Sequence, residues 1–104
     1  MIFGRRRFAE LIERQLDLFQ QDNVDLLAET QRLLERYNNA GRDEAEARFG
    51  DYQDALETGT ELLADARDSY ALTLIESLEE RYKREFNAAV ARRLPSFSLE
   101  LENR

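Results

Sequence analysis

The chain has 104 residues and a net charge of −7, with no Cys, His or Trp. Without Cys there is no disulfide, thiolate nucleophile or zinc–thiolate centre, and without His the commonest general base and metal ligand is missing. Leu, Ala, Glu and Arg dominate, Pro occurs once and Gly four times, which favours a few long helices joined by few turns.

The charge is unevenly spread. Residues 1–16 carry four Arg and two Glu, residues 17–80 carry 17 acids and five Arg, and residues 81–104 carry six bases and three acids. An acidic total argues against broad binding of nucleic acid through its phosphates. No stretch has the length and apolarity of a membrane span, and Met1-Ile2-Phe3-Gly4 followed by three Arg lacks the apolar core of a signal peptide. The expectation is a cytoplasmic protein with no membrane contact, built as a single helical domain over residues 1–104.

A first helix is expected from about residue 5 to 39. Its stripe of Ile12, Leu16, Phe19, Asn23, Leu26, Thr30, Leu33 and Tyr37 alternates steps of four and three, the heptad seam of one helix packed along another as in a coiled coil. Asn23 fits either a register-setting polar position in that seam or a break, since Gln20-Gln21-Asp22-Asn23 contains good N-cap types. Asn38-Asn39-Ala40-Gly41 ends the helix with residues that tolerate the left-handed conformation. A turn at 40–42 follows, and Asp43 with Glu46 resembles a capping box for the next helix.

The second helix is expected to run unbroken over residues 43–93. One face carries Ala45, Phe49, Tyr52, Leu56, Gly59, Leu63, Ala66 and Tyr70. The opposite face carries Asp51, Asp54, Glu57, Glu61, Asp65 and Asp68, best explained as a solvated outer row. Gly59, inside the apolar stripe, either permits close helix approach or marks a kink. Beyond Tyr70, Leu74, Leu78, Tyr82, Phe86 and Val90 step by four. Each step advances the stripe by about 40° at 3.6 residues per turn. Pro95 stops the helix. Ser96-Phe97-Ser98-Leu99-Glu100-Leu101-Glu102 alternates with strand periodicity, so residues 95–104 are expected to be an extended tail.

At about 1.5 Å per residue, the second helix outreaches the first by roughly 25 Å. Tyr82, Phe86 and Val90 would then stand in water. The expected solution is all-α: an antiparallel helical hairpin with a long second helix, dimerising into a four-helix bundle. The partner interface would comprise Leu72, Ile75, Leu78, Tyr82, Phe86 and Val90. A three-helix bundle broken near Asn23 or Gly59 is the alternative.

Three functions follow, in order of preference. The first is a non-enzymatic protein–protein interaction or assembly module acting as a homodimer, or engaging another protein, with no cofactor. The second is anion binding, to nucleic acid or an acidic surface, by Arg5, Arg6, Arg7, Arg84, Arg92 and Arg93 gathered at one end. The third is a carboxylate metal site. Against it, the groups Glu10, Glu13 and Asp17 and Glu76, Glu79 and Glu80 each have basic neighbours four residues along, Glu10 with Arg14, Glu79 with Lys83 and Glu80 with Arg84, which are ordinary helix ion pairs.

Overall fold

The computed structural model describes residues 7–104. They form five α-helices and one short 3₁₀ turn, and no strand occurs among the described residues. The helices are α1 (Ala9–Asp22), α2 (Val24–Asn38), α3 (Ala45–Ala71), α4 (Glu76–Arg93) and α5 (Ser98–Glu102), with the 3₁₀ turn at Pro95–Phe97. The molecule is a rod of 55 × 23 × 23 Å.

The expected long second helix is broken. Residues 72–75 separate α3 from α4, and α4 turns back along α1 and α3. Thr73 and Leu74 donate backbone bonds to Tyr70 and Ala71, three residues back, at 2.9 and 3.0 Å. The Thr73 hydroxyl also donates to the Tyr70 carbonyl at 2.7 Å, a local bond that competes with helix continuation. Ile75 is then extended, with ψ 153°.

The reversal decides the core. Tyr82, Phe86 and Val90 have no solvent exposure within this single chain. Each contributes about 1.5–3 kcal/mol by burial, and the burial needs no second molecule. The hairpin with an overhanging second helix is therefore corrected to a chain that folds its own overhang inward.

The first helix also divides, at Asn23, whose φ of −126° and ψ of 33° leave the helical region. The Asn23 side-chain amide donates to the Phe19 carbonyl at 2.9 Å, so this residue marks a joint. Around it the heptad seam is as expected: Ile12, Leu16, Phe19, Thr30 and Leu33 are buried, and Leu26 and Tyr37 are half-buried. Above the joint α2 lies against α3, with Tyr37 and Phe49 rings 5.2 Å apart near the hairpin end. Below it α1, α3 and α4 enclose the main core.

No described residue other than glycine has positive φ, and no glycine has it either. The α2–α3 turn therefore closes without the left-handed residue expected at Asn39 to Gly41. Glu44 and Ala45 both donate to the Gly41 carbonyl at 3.0 Å. The expected Asp43–Glu46 capping box is absent too, since α3 starts after Glu44 with no side-chain cap.

The tail is helical, a correction to the expected extended segment. Leu94, Phe97 and Leu101 are buried, whereas Leu99 is 72% exposed. The spacing that matters is three and four, and the apparent alternation at two was incidental to Leu99. The Phe97 ring lies against Gly59. A Cβ at Gly59 would come within 2.9 Å of Phe97 Cζ and closer to Cε1. Gly59 thus permits close approach, and α3 runs through it as one helix.

Two glycines of α3 should respond to alanine with opposite signs. Gly50→Ala meets nothing within 4 Å and should gain up to about 1 kcal/mol from helix propensity. Gly59→Ala must displace a ring that is only 3% exposed and should lose about 1–3 kcal/mol by overpacking. Urea unfolding of both variants measures the difference; equal signs would remove Phe97 from the Gly59 face.

Candidate functional site

The α3–α4 turn presents two strongly exposed apolar side chains. Leu72 is 81% and Ile75 68% exposed, while Leu74 and Leu78 pack against the core. Leu18, Val24, Phe49, Leu62 and Leu99 are also exposed, but they are spread over α1, α2, α3 and α5. Single exposed apolar residues are normal on protein surfaces. Two within one four-residue turn form a local apolar knob.

The six residues expected at a partner interface therefore separate. Leu72 and Ile75 are available to another molecule, and Leu78 is half-buried. Tyr82, Phe86 and Val90 are withdrawn into the chain's own core, which corrects their assignment to an interface. Tyr82 is the centre of that core. Its ring stands 5.3 Å from Phe8 in an edge-on contact, 4.8 Å from Tyr70 and 6.0 Å from Phe86. Its hydroxyl donates to Gln15 Oε1 at 2.9 Å.

The six expected anion contacts separate as well. Arg5 and Arg6 lie outside the described residues. Arg7 and Arg84 are exposed. Arg92 reaches Glu13 at 3.7 Å. Arg93 is spent on α1: it contacts Glu13 at 3.0 Å and Asp17 at 2.8 Å, and donates to the Glu13 carbonyl and to Gln20. Burial pulls the Arg93 pKa down, but the hydrogen bonds to Asp17 and Glu13 outweigh it, and the net direction is upward. These contacts pin the C-terminal end of α4 to α1, so Arg93 is not a free anion ligand.

Two polar positions carry structure that sequence reasoning missed. Arg67 is 2% exposed. Its guanidinium donates to Asn87 Oδ1 at 3.0 Å, to the Leu101 carbonyl at 3.1 Å and to Asp68 Oδ1 at 2.8 Å. It thereby adds a second donor to a carbonyl that the Arg104 N–H also reaches at 3.1 Å, and it ties α3, α4 and α5 together. The available signal was its place four residues after Leu63 on the apolar stripe. Glu85 similarly accepts the Phe8 N–H at the start of α1, at 3.3 Å, while Arg81 holds it at 3.2 Å. Thr60 Oγ1 is buried without a hydrogen-bond partner.

The acidic row of α3 is the solvated face expected: Asp51, Asp54, Glu57, Glu61 and Asp65 are exposed and Asp68 half-buried. Of the helix ion pairs read from sequence, Glu79–Lys83 forms, at 3.4 Å. No group of three or more carboxylates converges on a metal position among the described residues. No described helix is long and apolar enough to cross a membrane. Between α1 and α4 lies a small groove of about 180 Å³, floored by Ile12 and Ala89, flanked by Ala9 and Ala88, and rimmed by Glu13, Glu85 and Arg92. Compared with protein-family models, curated proteins and solved structures, the chain matches none.

Burial pushes the Tyr82 hydroxyl up to about 12, against a smaller downward pull from Gln15. An unfolded tyrosine ionises near pH 10. Below that pH the folded and unfolded chains hold the same proton, and the contribution to stability is intact. Between pH 10 and 12 only the unfolded chain ionises, so stability falls. Tyr82→Phe removes this loss. At neutral pH it should be less stable by about 1 kcal/mol for the lost bond to Gln15, and the two melting curves should converge as pH rises from 10 to 12. Parallel melting temperatures across that range would place the hydroxyl in water.

Proposed function

We propose that this chain is a non-enzymatic interaction module that works as a homodimer, and that the α3–α4 turn is where it meets its partner. The supporting observation is the pair Leu72 and Ile75, 81% and 68% exposed in a turn whose other apolar residue, Leu74, packs against the core. Leaving two large aliphatic side chains in water forgoes about 1.5–3 kcal/mol each, which association recovers. The absence of Cys and His from the sequence removes the usual nucleophile–base and metal-centre chemistries. Interaction is the reading that uses what the surface offers.

The dimer proposed here differs from a bundle in which each chain contributes a bare hairpin. Each copy brings a filled core, so association buries only surface that the folded chain leaves exposed. Such a contact is small and should be reversible and concentration-dependent.

Sedimentation equilibrium tests this. The wild-type chain should give a monomer–dimer equilibrium at micromolar concentration. Leu72→Glu and Ile75→Glu should each shift it toward monomer by tenfold or more in Kd, with melting temperature at low concentration unchanged, because neither side chain supports the core. A wild-type chain that stays monomeric throughout would reject the reading.

A further inference from the structure

Residues 72–75 carry little that forbids a helix. They include no Gly or Pro and no residue of positive φ. Leu72 keeps helical angles, φ −63° and ψ −18°. Ile75 has φ −68°, which a helix also uses, and breaks away through its ψ of 153°. The reversal also leaves backbone donors idle. The N–H groups of Ile75, Glu76 and Ser77 have no hydrogen-bond partner among the described residues. In a continuous helix they would donate to the carbonyls of Ala71, Leu72 and Thr73, four residues back.

A continuous helix would also change the standing of the two exposed aliphatics. At 3.6 residues per turn, Leu72 lies about five whole turns from Val90, and Ile75 about three from Phe86. Leu72 and Ile75 would therefore share the face on which Tyr82, Phe86 and Val90 are buried. Only the straight form puts them on that face. Asp68 and Glu79 flank it, but each already has a cation, Arg67 and Lys83 respectively.

The side-chain bonds that hold α4 and α5 to the rest of the molecule all join residues before the turn to residues after it. Gln15 accepts from Tyr82, Glu85 from the Phe8 N–H, and Glu13 and Asp17 from Arg93, while Arg67 donates to Asn87 and the Leu101 carbonyl. A segment 76–104 supplied by another copy makes every one of them unchanged. We infer that this chain exchanges α4 and α5 with a second copy: residues 72–75 straighten, α3 and α4 become one helix, and each copy's α4 occupies the other's seat against α1 and α3. The two long helices then cross at the former turn, where Leu72 and Ile75 of each copy face those of its partner. Such an exchanged dimer is symmetric and closed. It keeps the core contacts, recovers the idle donors and covers the turn's apolar pair. Its remaining cost is that of association, which rising concentration offsets. It is distinct from the reversible turn contact and does not depend on it.

Refolding from urea at millimolar chain concentration, followed by cold dilution and gel filtration, tests the exchange. The wild-type chain should yield a dimer that survives dilution, because separation requires unfolding, whereas a turn contact dissociates at once. Ile75→Pro suits the folded monomer, since φ is already that of proline and the N–H has no partner. Inside a helix it is disruptive, so it should cut the yield of persistent dimer at least about tenfold. Circular dichroism checks that its monomer is folded. A second measurement keeps the wild-type turn. Ala9 on α1 and Ala88 on α4 border one groove, and the chain has no other thiol to interfere. Ala9→Cys/Ala88→Cys, joined by a short bismaleimide, should run on a denaturing gel as a covalent dimer when taken from the dimer fraction and as a monomer when taken from the monomer fraction. A persistent dimer that cross-links only within each chain overturns the exchange, as does a dimer that always dissociates on dilution; both leave the turn contact standing. A persistent dimer undiminished in folded Ile75→Pro overturns the straightened turn. A chain monomeric under every condition rejects the exchange and the turn contact alike.

Discussion

The fold depends on where Tyr82 goes. Its ring has Phe8 of the α1 entry on one side, Tyr70 at the end of α3 on another and Phe86 one turn along. That cluster is reached only if the chain reverses between Ala71 and Glu76. The reversal gives up helix hydrogen bonds over a four-residue stretch, each worth about 1 kcal/mol net. It gains full burial of Tyr82, Phe86 and Val90, and that burial outweighs the lost bonds. A small all-helical chain has little apolar surface to spare, and three large side chains in water would leave it without a core below the Asn23 joint.

Once α4 has turned back, two helix ends gain partners from across the structure, in addition to the local backbone bonds that close the helix C-termini. None of the described helices has a side-chain N-cap bond of its own. Glu85 accepts the Phe8 N–H from the opposite helix, and Arg67 donates to the Leu101 carbonyl. Both bonds join residues far apart in the chain and exist only in the assembled state. They make the packing of α1, α4 and α5 cooperative, because removing one element strips the partner from another's terminus. Arg67 carries the greater weight: a buried cation without its acceptors is far costlier than an exposed one.

The sequence made the helical class, the seam of the first helix, the acidic outer row and the stop at Pro95 legible, since each rests on period or on proline geometry. The reversal was visible only indirectly. No Gly or Pro marks residues 72–75, and Thr73 with Ile75 are the sole β-branched residues there. What did register was the stripe's phase: from Leu74 to Val90 the apolar face swings round the helix, as it must when a segment changes neighbours. A rotating stripe fits a partner chain and the chain's own return equally well, and helix period alone does not distinguish them. The tail misled for a similar reason. Phe97, Leu99 and Leu101 mimic a strand, but only the first and last are buried, and burial is settled by what Gly59 and Arg67 offer on the facing helix. The groove at Ala9, Ile12, Ala88 and Ala89 joins residues far apart in the chain, and nothing local announces it.

Folding accounts for most of the apolar residues, and of the seven large ones left exposed two share the α3–α4 turn. A turn between helices ordinarily draws on Gly, Asn, Asp or Ser, whose side chains suit the backbone and the solvent. Here it is Leu72-Thr73-Leu74-Ile75. Thr73 has a role through its bond to Tyr70, and Leu74 through its contact with the core. Leu72 and Ile75 contribute to neither, and a polar residue at either position would leave the interior unchanged. Their cost is therefore not explained by anything within one chain. The exposed Glu80 and Arg84 stand in the same relation to the fold, charged and one turn apart yet unpaired. In the proposed interaction, these residues, gathered on one helix and the turn before it, are the ones a second molecule would meet.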